Sequence, residues 1–163
     1  MKVGLTYDLK DEYVPQPDDP PDAATELDTE ETISALEGAI RANGHKTVRI
    51  GNARHLLALA MDDDLEVDLV FNISEGLEGR SREAQVPAIL DLLGIPYTGS
   101  DALTMALSLD KGMSKKVFRS ERVPTPDWFV APSAAEVDQW ELEFPLFVKP
   151  IHEGTAKGVT TQS

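Results

Sequence analysis

The chain contains no cysteine in 163 residues, so disulfides, thiolate zinc sites, iron–sulfur clusters and cysteine nucleophiles are excluded. It is also poor in positive charge. Fifteen Lys and Arg stand against 29 Asp and Glu, a net charge of −14. Such a chain lacks the basic face that neutralises nucleic-acid phosphates or anionic lipid headgroups. No apolar run approaches the ~20 residues that span a bilayer. The opening MKVGLTYDLKDEY lacks the basic start and long apolar stretch of a signal peptide. The expectation is a cytoplasmic protein with no nucleic-acid and no membrane partner. His45, His55 and His152 have no metal-ligand spacing, so no metal site is assigned. A G-x-x-x-x-G-K-[ST] loop, a G-x-G-x-x-G turn and a G-x-S-x-G elbow are all missing. What remains is an ordinary globular composition, 41% apolar, long enough for one domain or one domain and part of another.

The hydrophobic pattern alternates between two periods. Residues 2–7 form a short β-rich run. Residues 8–31 hold ten acidic side chains, one Lys and four prolines, and predict an extended, solvated loop, with 12–27 poorly ordered or extended when no ligand is bound. Ile33, Leu36 and Ile40 then recur at helical spacing, with Asp28 and Glu31 in capping-box positions and Asn43-Gly44 as the stop. Residues 47–50 read as a strand and 54–61 as a helix. The run 67–73 (VDLVFNI) suits a strand buried on both faces of a parallel sheet. A helix over 83–93 tolerates Pro87 near its start, Gly94 ends it, and 95–98 reads as a further strand. Alternation of this kind predicts an α/β fold with a parallel sheet, whose ligands bind beyond the carboxyl ends of the strands. Those ends are Asp8 and the loop 74–82; Glu75, Glu78 and Glu83, with Arg80 and Arg82, offer mixed charge there to a zwitterion, and the same composition suits a solvated loop.

The composition changes near Asp110. Asp101 and Asp110 are placed to cap short helices, and Lys115, Lys116, Arg119 and Arg122 read as a solvated helix face. After Val123-Pro124-Thr125-Pro126, residues 128–130, 145–149 and 159–161 read as strands, and 133–140 as a helix. The most informative segment is Glu153-Gly154-Thr155-Ala156-Lys157-Gly158. Two glycines let backbone approach a ligand, and the amides between them can face an anion, with Lys157 inside the loop and Lys149 ending the run before it. The same composition also suits a mobile hairpin tip with a solvated lysine.

Taken together, Leu93-Gly94-Ile95-Pro96-Tyr97-Thr98-Gly99-Ser100, Asp110-Lys111, Val123-Pro124-Thr125-Pro126, Phe144-Pro145-Leu146-Phe147-Val148-Lys149-Pro150 and the 153–158 loop resemble the D-alanine–D-alanine ligase family of the ATP-grasp superfamily. The resemblance runs over about residues 67–163 and is similar to the N-terminal part of such ligases only. It implies a parallel, Rossmann-like pre-ATP-grasp domain over 1–110, then the start of an incomplete α+β ATP-grasp domain over 111–163. It implies ATP as co-substrate, with Lys111, Lys149, Glu153, Gly154, Lys157 and Gly158 at its phosphates and the Thr155 hydroxyl in a catalytic role. Mg2+ is implied too, with its ligands expected beyond Ser163. Asp8, Glu75 and Glu83 would meet amino-acid or dipeptide-like substrates. The family's usual Gly-Gly turn and Ser-x-Glu segment are replaced by Tyr7-Asp8-Leu9-Lys10-Asp11-Glu12-Tyr13. Its His-Gly-x-x-Gly-Glu-Asp-Gly loop is replaced by residues 72–83. Both places touch substrate in the family, so the carboxylate and amine are left open. The expected activity is ATP-dependent carboxylate–amine ligation, absent from this chain alone. The alternative is a non-catalytic module that binds a small molecule or forms a homodimer through its N-terminal domain.

Overall fold

The computed structural model describes residues 1–139, 142–161 and 163. Three strands, β1 (Lys2–Thr6), β2 (Lys46–Gly51) and β3 (Leu69–Asn72), form a parallel sheet in the order β2-β1-β3. Val3 stands opposite Thr47 on one side and Leu69 on the other. The central strand is thus the first in sequence, and the chain switches sheet edge between β2 and β3. That is the arrangement that opens a ligand crevice at the strand ends.

Helices α1 (Glu30–Ala42), α2 (Ala53–Met61) and α3 (Gln85–Leu93) cover the two faces. Leu5, Tyr7 and Ile33 pack with Leu36 and Ile40 of α1 on one side. Ile50, Leu56, Val70, Val86 and Leu90 form the core on the other. Each such side chain taken fully out of water contributes about 1.5–3 kcal/mol. Gly4 leaves room for Ile50 between the layers: a Cβ there would lie 2.5 Å from Ile50 Cδ1 and would force that side chain to shift.

The expected helix and strand centres are present, with shifted ends. The cap of α1 is Thr29, whose hydroxyl accepts from the Thr32 amide, rather than Asp28. Asp28 is instead engaged by backbone, its amide donating to the Asp8 carbonyl. Pro87 does fall in the first turn of α3, Gly94 takes the left-handed conformation at its end, and Asp101 and Asp110 cap α4 (Ala102–Leu109) and α5 (Lys111–Ser120). The expected strand at 95–98 is reduced to one bridge, Val70 to Tyr97.

The expectation of an extended, solvated stretch holds over 13–20, which are mostly exposed and carry little regular structure; residues 21–26 instead fold into consecutive turns that lead to buried Leu27, and Tyr13 donates to Asp19 at 2.6 Å. Their partners lie far along the chain, as described below. Residues 128–130, 145–149 and 159–161 carry no strand ladder; Phe144, Phe147 and Val148 are exposed, so no burial favours pairing there. The expected helix over 133–140 is a 3-10 helix, Ala134–Gln139, and its last expected residue, Trp140, lies outside the described residues. The expected solvated face of α5 holds for Lys116, Arg119 and Arg122, which are exposed, while Lys115 is half-buried and donates to Thr125 and to the Pro126 carbonyl; Arg119 lies 4.4 Å from the Trp128 ring centre.

Candidate functional site

A cluster forms where the 3-10 turn Arg82–Ala84, the acidic stretch and the loop 152–158 meet. Arg82 sits at its centre, its side chain only 7% exposed. One guanidinium nitrogen donates to the His152 carbonyl at 2.6 Å. The other donates to Glu26 Oε2 at 2.7 Å and to Glu153 Oε2 at 3.2 Å. Glu26 is 4% exposed, and its second oxygen accepts from the Gly154 amide at 2.6 Å. Two buried opposite charges with all oxygens engaged make the pairing tenable in a dry setting. A Cβ at Gly154 would lie 2.7 Å from Glu26 Oε1, so a larger residue there would push the Glu26 carboxylate aside.

The loop is fixed at its other end as well. Thr155 and Ala156 take left-handed conformations, with φ of 46° and 59°. The Gly158 amide donates to Asp22 Oδ2 at 2.7 Å, and Lys157 pairs with Glu153 at 3.1 Å. From below, Lys111 donates its ammonium to the Glu153 carbonyl and its amide to the Ile151 carbonyl. Burial, and next to it the charge of Lys149, hold the Lys111 ammonium below its ordinary pKa. Asp110 carries the same junction. It caps α5 through the Met113 amide, accepts from Arg80 at 2.7 Å and lies 3.2 Å from His152 Nε2. Burial raises the Asp110 carboxyl, but these donors outweigh it and the net shift is downward. A cavity of about 250 Å3 opens beside Arg80, Arg82, His152, Glu153 and Lys157.

Glu75 and Glu83 lie against this cluster. Burial first, then the neighbouring charges of Glu83 and Glu26, push Glu75 up to about 7, although Arg82 opposes them. Glu83 is raised by burial, and it shares a hydrogen bond with Glu75. Both shifts favour a protonated form of the pair over two bare carboxylates.

The sequence-predicted residues are therefore partly assembled. Lys111, Glu153, Gly154, Lys157 and Gly158 converge, with Glu75 and Glu83 beside them. Lys149 is exposed, its ammonium 5.2 Å from the Phe147 ring centre, and Thr155 is on the exposed crest of the loop. Asp8 is buried at the end of β1, where one oxygen accepts from Ser74 Oγ at 2.5 Å and the Gly76 amide at 2.9 Å. It lines a separate cavity of about 340 Å3 with Asn52 and His55. Glu26, Asp22 and the Asp110–His152 contact went unrecognised in the sequence. Glu26 and Asp22 are two among ten acids, and nothing local separates them from solvated neighbours.

The fold is an α/β unit with a three-stranded parallel sheet, and it matches the N-terminal part of solved D-alanine–D-alanine ligases. No family model matches the chain. It is 38% identical to a D-alanine–D-alanine ligase of Verminephrobacter eiseniae over 144 residues, which cover 78% of this chain and 44% of that protein. It is 39% identical to a D-alanine–D-alanine ligase of Pseudomonas putida over 128 residues, 77% of this chain and 39% of that one. In structure it matches the D-alanine–D-alanine ligase of Bacillus anthracis complexed with ATP, with a TM-score of 0.59 and 28% identity over 93% of this chain and 48% of that one. The chain is thus similar to the N-terminal portion of D-alanine–D-alanine ligases, and it spans less than half the length of these relatives.

Proposed function

We propose that the chain forms the first half of a cytoplasmic ATP-dependent carboxylate–amine ligase working through an acyl phosphate, and that it is inactive alone. The observation that carries this reading is the half-buried Lys111 beneath the 153–158 loop, its ammonium donating to the Glu153 carbonyl, with Lys157 inside the same loop. Cations gathered at a glycine-bearing loop favour an anion beside them. A triphosphate supplies that charge. The amides and Lys157 of the loop exclude water from it, and the Thr155 hydroxyl contacts the transferring phosphoryl group. In the reaction, a substrate carboxylate oxygen bonds to the γ-phosphorus as the bond to the bridging oxygen of ADP breaks. An amine then bonds to the acyl carbon, phosphate leaves, and the amine gives up its proton. Asp8, Glu75 and Glu83 hold the amino-acid substrates, with the Glu75–Glu83 pair facing an ammonium. Among the described residues no group of three or more His, Asp or Glu side chains is disposed to hold a metal ion. The donor set for Mg2+ is therefore not met by these residues.

Calorimetric titration with ATP tests the reading. Lys111→Ala and Lys149→Ala should each weaken binding by about tenfold or more. Undiminished ATP binding in both variants refutes the assignment. One feature favours a second reading, a small-molecule-binding module: the sheet unit holds its own cavity of about 340 Å3 at the strand ends. In that case a ligand binds with equal affinity to wild type and to both lysine variants.

A further inference from the structure

The amides expected to face phosphate already hold carboxylates of the same chain. Gly154 donates to Glu26 at 2.6 Å and Gly158 to Asp22 at 2.7 Å, both shorter than the ~2.9–3.0 Å usual for amide bonds to neutral oxygen. The partners are 128 and 136 residues apart, so these are not local turn contacts. The two acids grip both ends of the loop, and Lys157 between them turns inward to Glu153. Resting on the nucleotide reading of this loop, we infer that Asp22 and Glu26 act as an internal anion: their carboxylates occupy the loop amides in place of phosphate oxygens and close the loop until an incoming phosphate displaces them. The acidic, proline-rich stretch is then an autoinhibitory strap. Its prolines shape the turns that deliver both acids, Ala23 donating to the Pro20 carbonyl and Thr25 to that of Asp22.

The two acids differ in what else they do. Glu26 neutralises buried Arg82, so its removal disturbs folding as well as the loop. Asp22 is half-buried and has no part in the Arg82 pair, so Asp22→Ala carries the test. Two readouts are taken on the intact chain: hydrogen exchange at the Gly158 amide, and titration with ATP and with inorganic pyrophosphate. Asp22→Ala should speed Gly158 exchange and tighten both anions by about tenfold or more each. Unchanged Gly158 exchange overturns the proposal. So does ATP binding of equal strength in wild type and variant, which leaves the nucleotide reading intact. If exchange responds but neither protein binds ATP or pyrophosphate, the nucleotide reading fails and phosphate displacement is overturned with it, while the carboxylate closure stands.

Discussion

The residues before Asp110 and those after it are held together by different forces. In the first region Leu5, Ile33, Leu56, Val70 and Leu90 are wholly removed from water on both faces of one sheet. In the second, Phe144 is 86% exposed and Val148 70%, and the segment is attached by Arg82, Lys111, Asp110 and the loop amides. Apolar burial is indifferent to partner and tolerant of salt, whereas charge-assisted contacts depend on protonation and on competing ions. The sheet unit is thus a scaffold, and the loop 152–158 is attached to it by charged and polar contacts.

Four measurements test that contrast, in descending order of effect. Leu5→Ala opens a cavity beneath α1 and should cost about 2–5 kcal/mol in urea unfolding. Arg82→Ala leaves Glu26 buried without its cation and should cost about 3 kcal/mol, with the largest rise in hydrogen exchange at Gly154. If exchange rises equally in β1, the two regions are one cooperative unit and the contrast fails.

Glu75 makes a smaller, pH-dependent contribution. Its carboxyl lies near 7 in the folded chain against an ordinary 4.5, so between those values the folded state keeps a proton that the unfolded state has released. That stabilisation is complete below about 4.5 and is lost as pH rises through about 7. Glu75→Gln should therefore flatten the fall in urea midpoint between pH 5 and 8. Identical pH profiles would show that Glu75 does not keep that proton. The smallest effect is expected for Phe147→Ala, below about 0.5 kcal/mol, as for other exposed side chains. A large loss would mean that Phe147 is held in a contact the sheet unit depends on.

The sequence made the scaffold legible because its signals are local. The 67–73 run, the 3.6-residue spacing of Ile33, Leu36 and Ile40, and the caps at Asp101 and Asp110 each depend on neighbours a few residues away. Glu37 shows the limit: on the same helix it is nearly buried, fixed by Arg49 at 2.7 Å and Arg41 at 2.8 Å, and helical spacing does not announce those ties. The site was half legible. Gly154, Gly158, Lys111 and Lys157 stood out by residue type, but the acids that engage the loop sit in a stretch whose composition reads as solvent-exposed. Strand expectation failed at 145–149 because β-rich sequence forms a ladder only beside a partner strand.

The central position of β1 also has a temporal meaning. Its pairing residues in β2 and β3 begin 44 and 67 positions later in the chain. At the ~5–20 residues per second of translation, β1 waits roughly two to nine seconds for its first neighbour. During that interval Val3 and Leu5, later flanked by β2 and β3, are followed directly by the acidic stretch and then by α1. A run of like charges and prolines next to an unpaired strand disfavours its pairing with another nascent chain. The same stretch that later closes the loop thus serves first as a guard for the strand that precedes it.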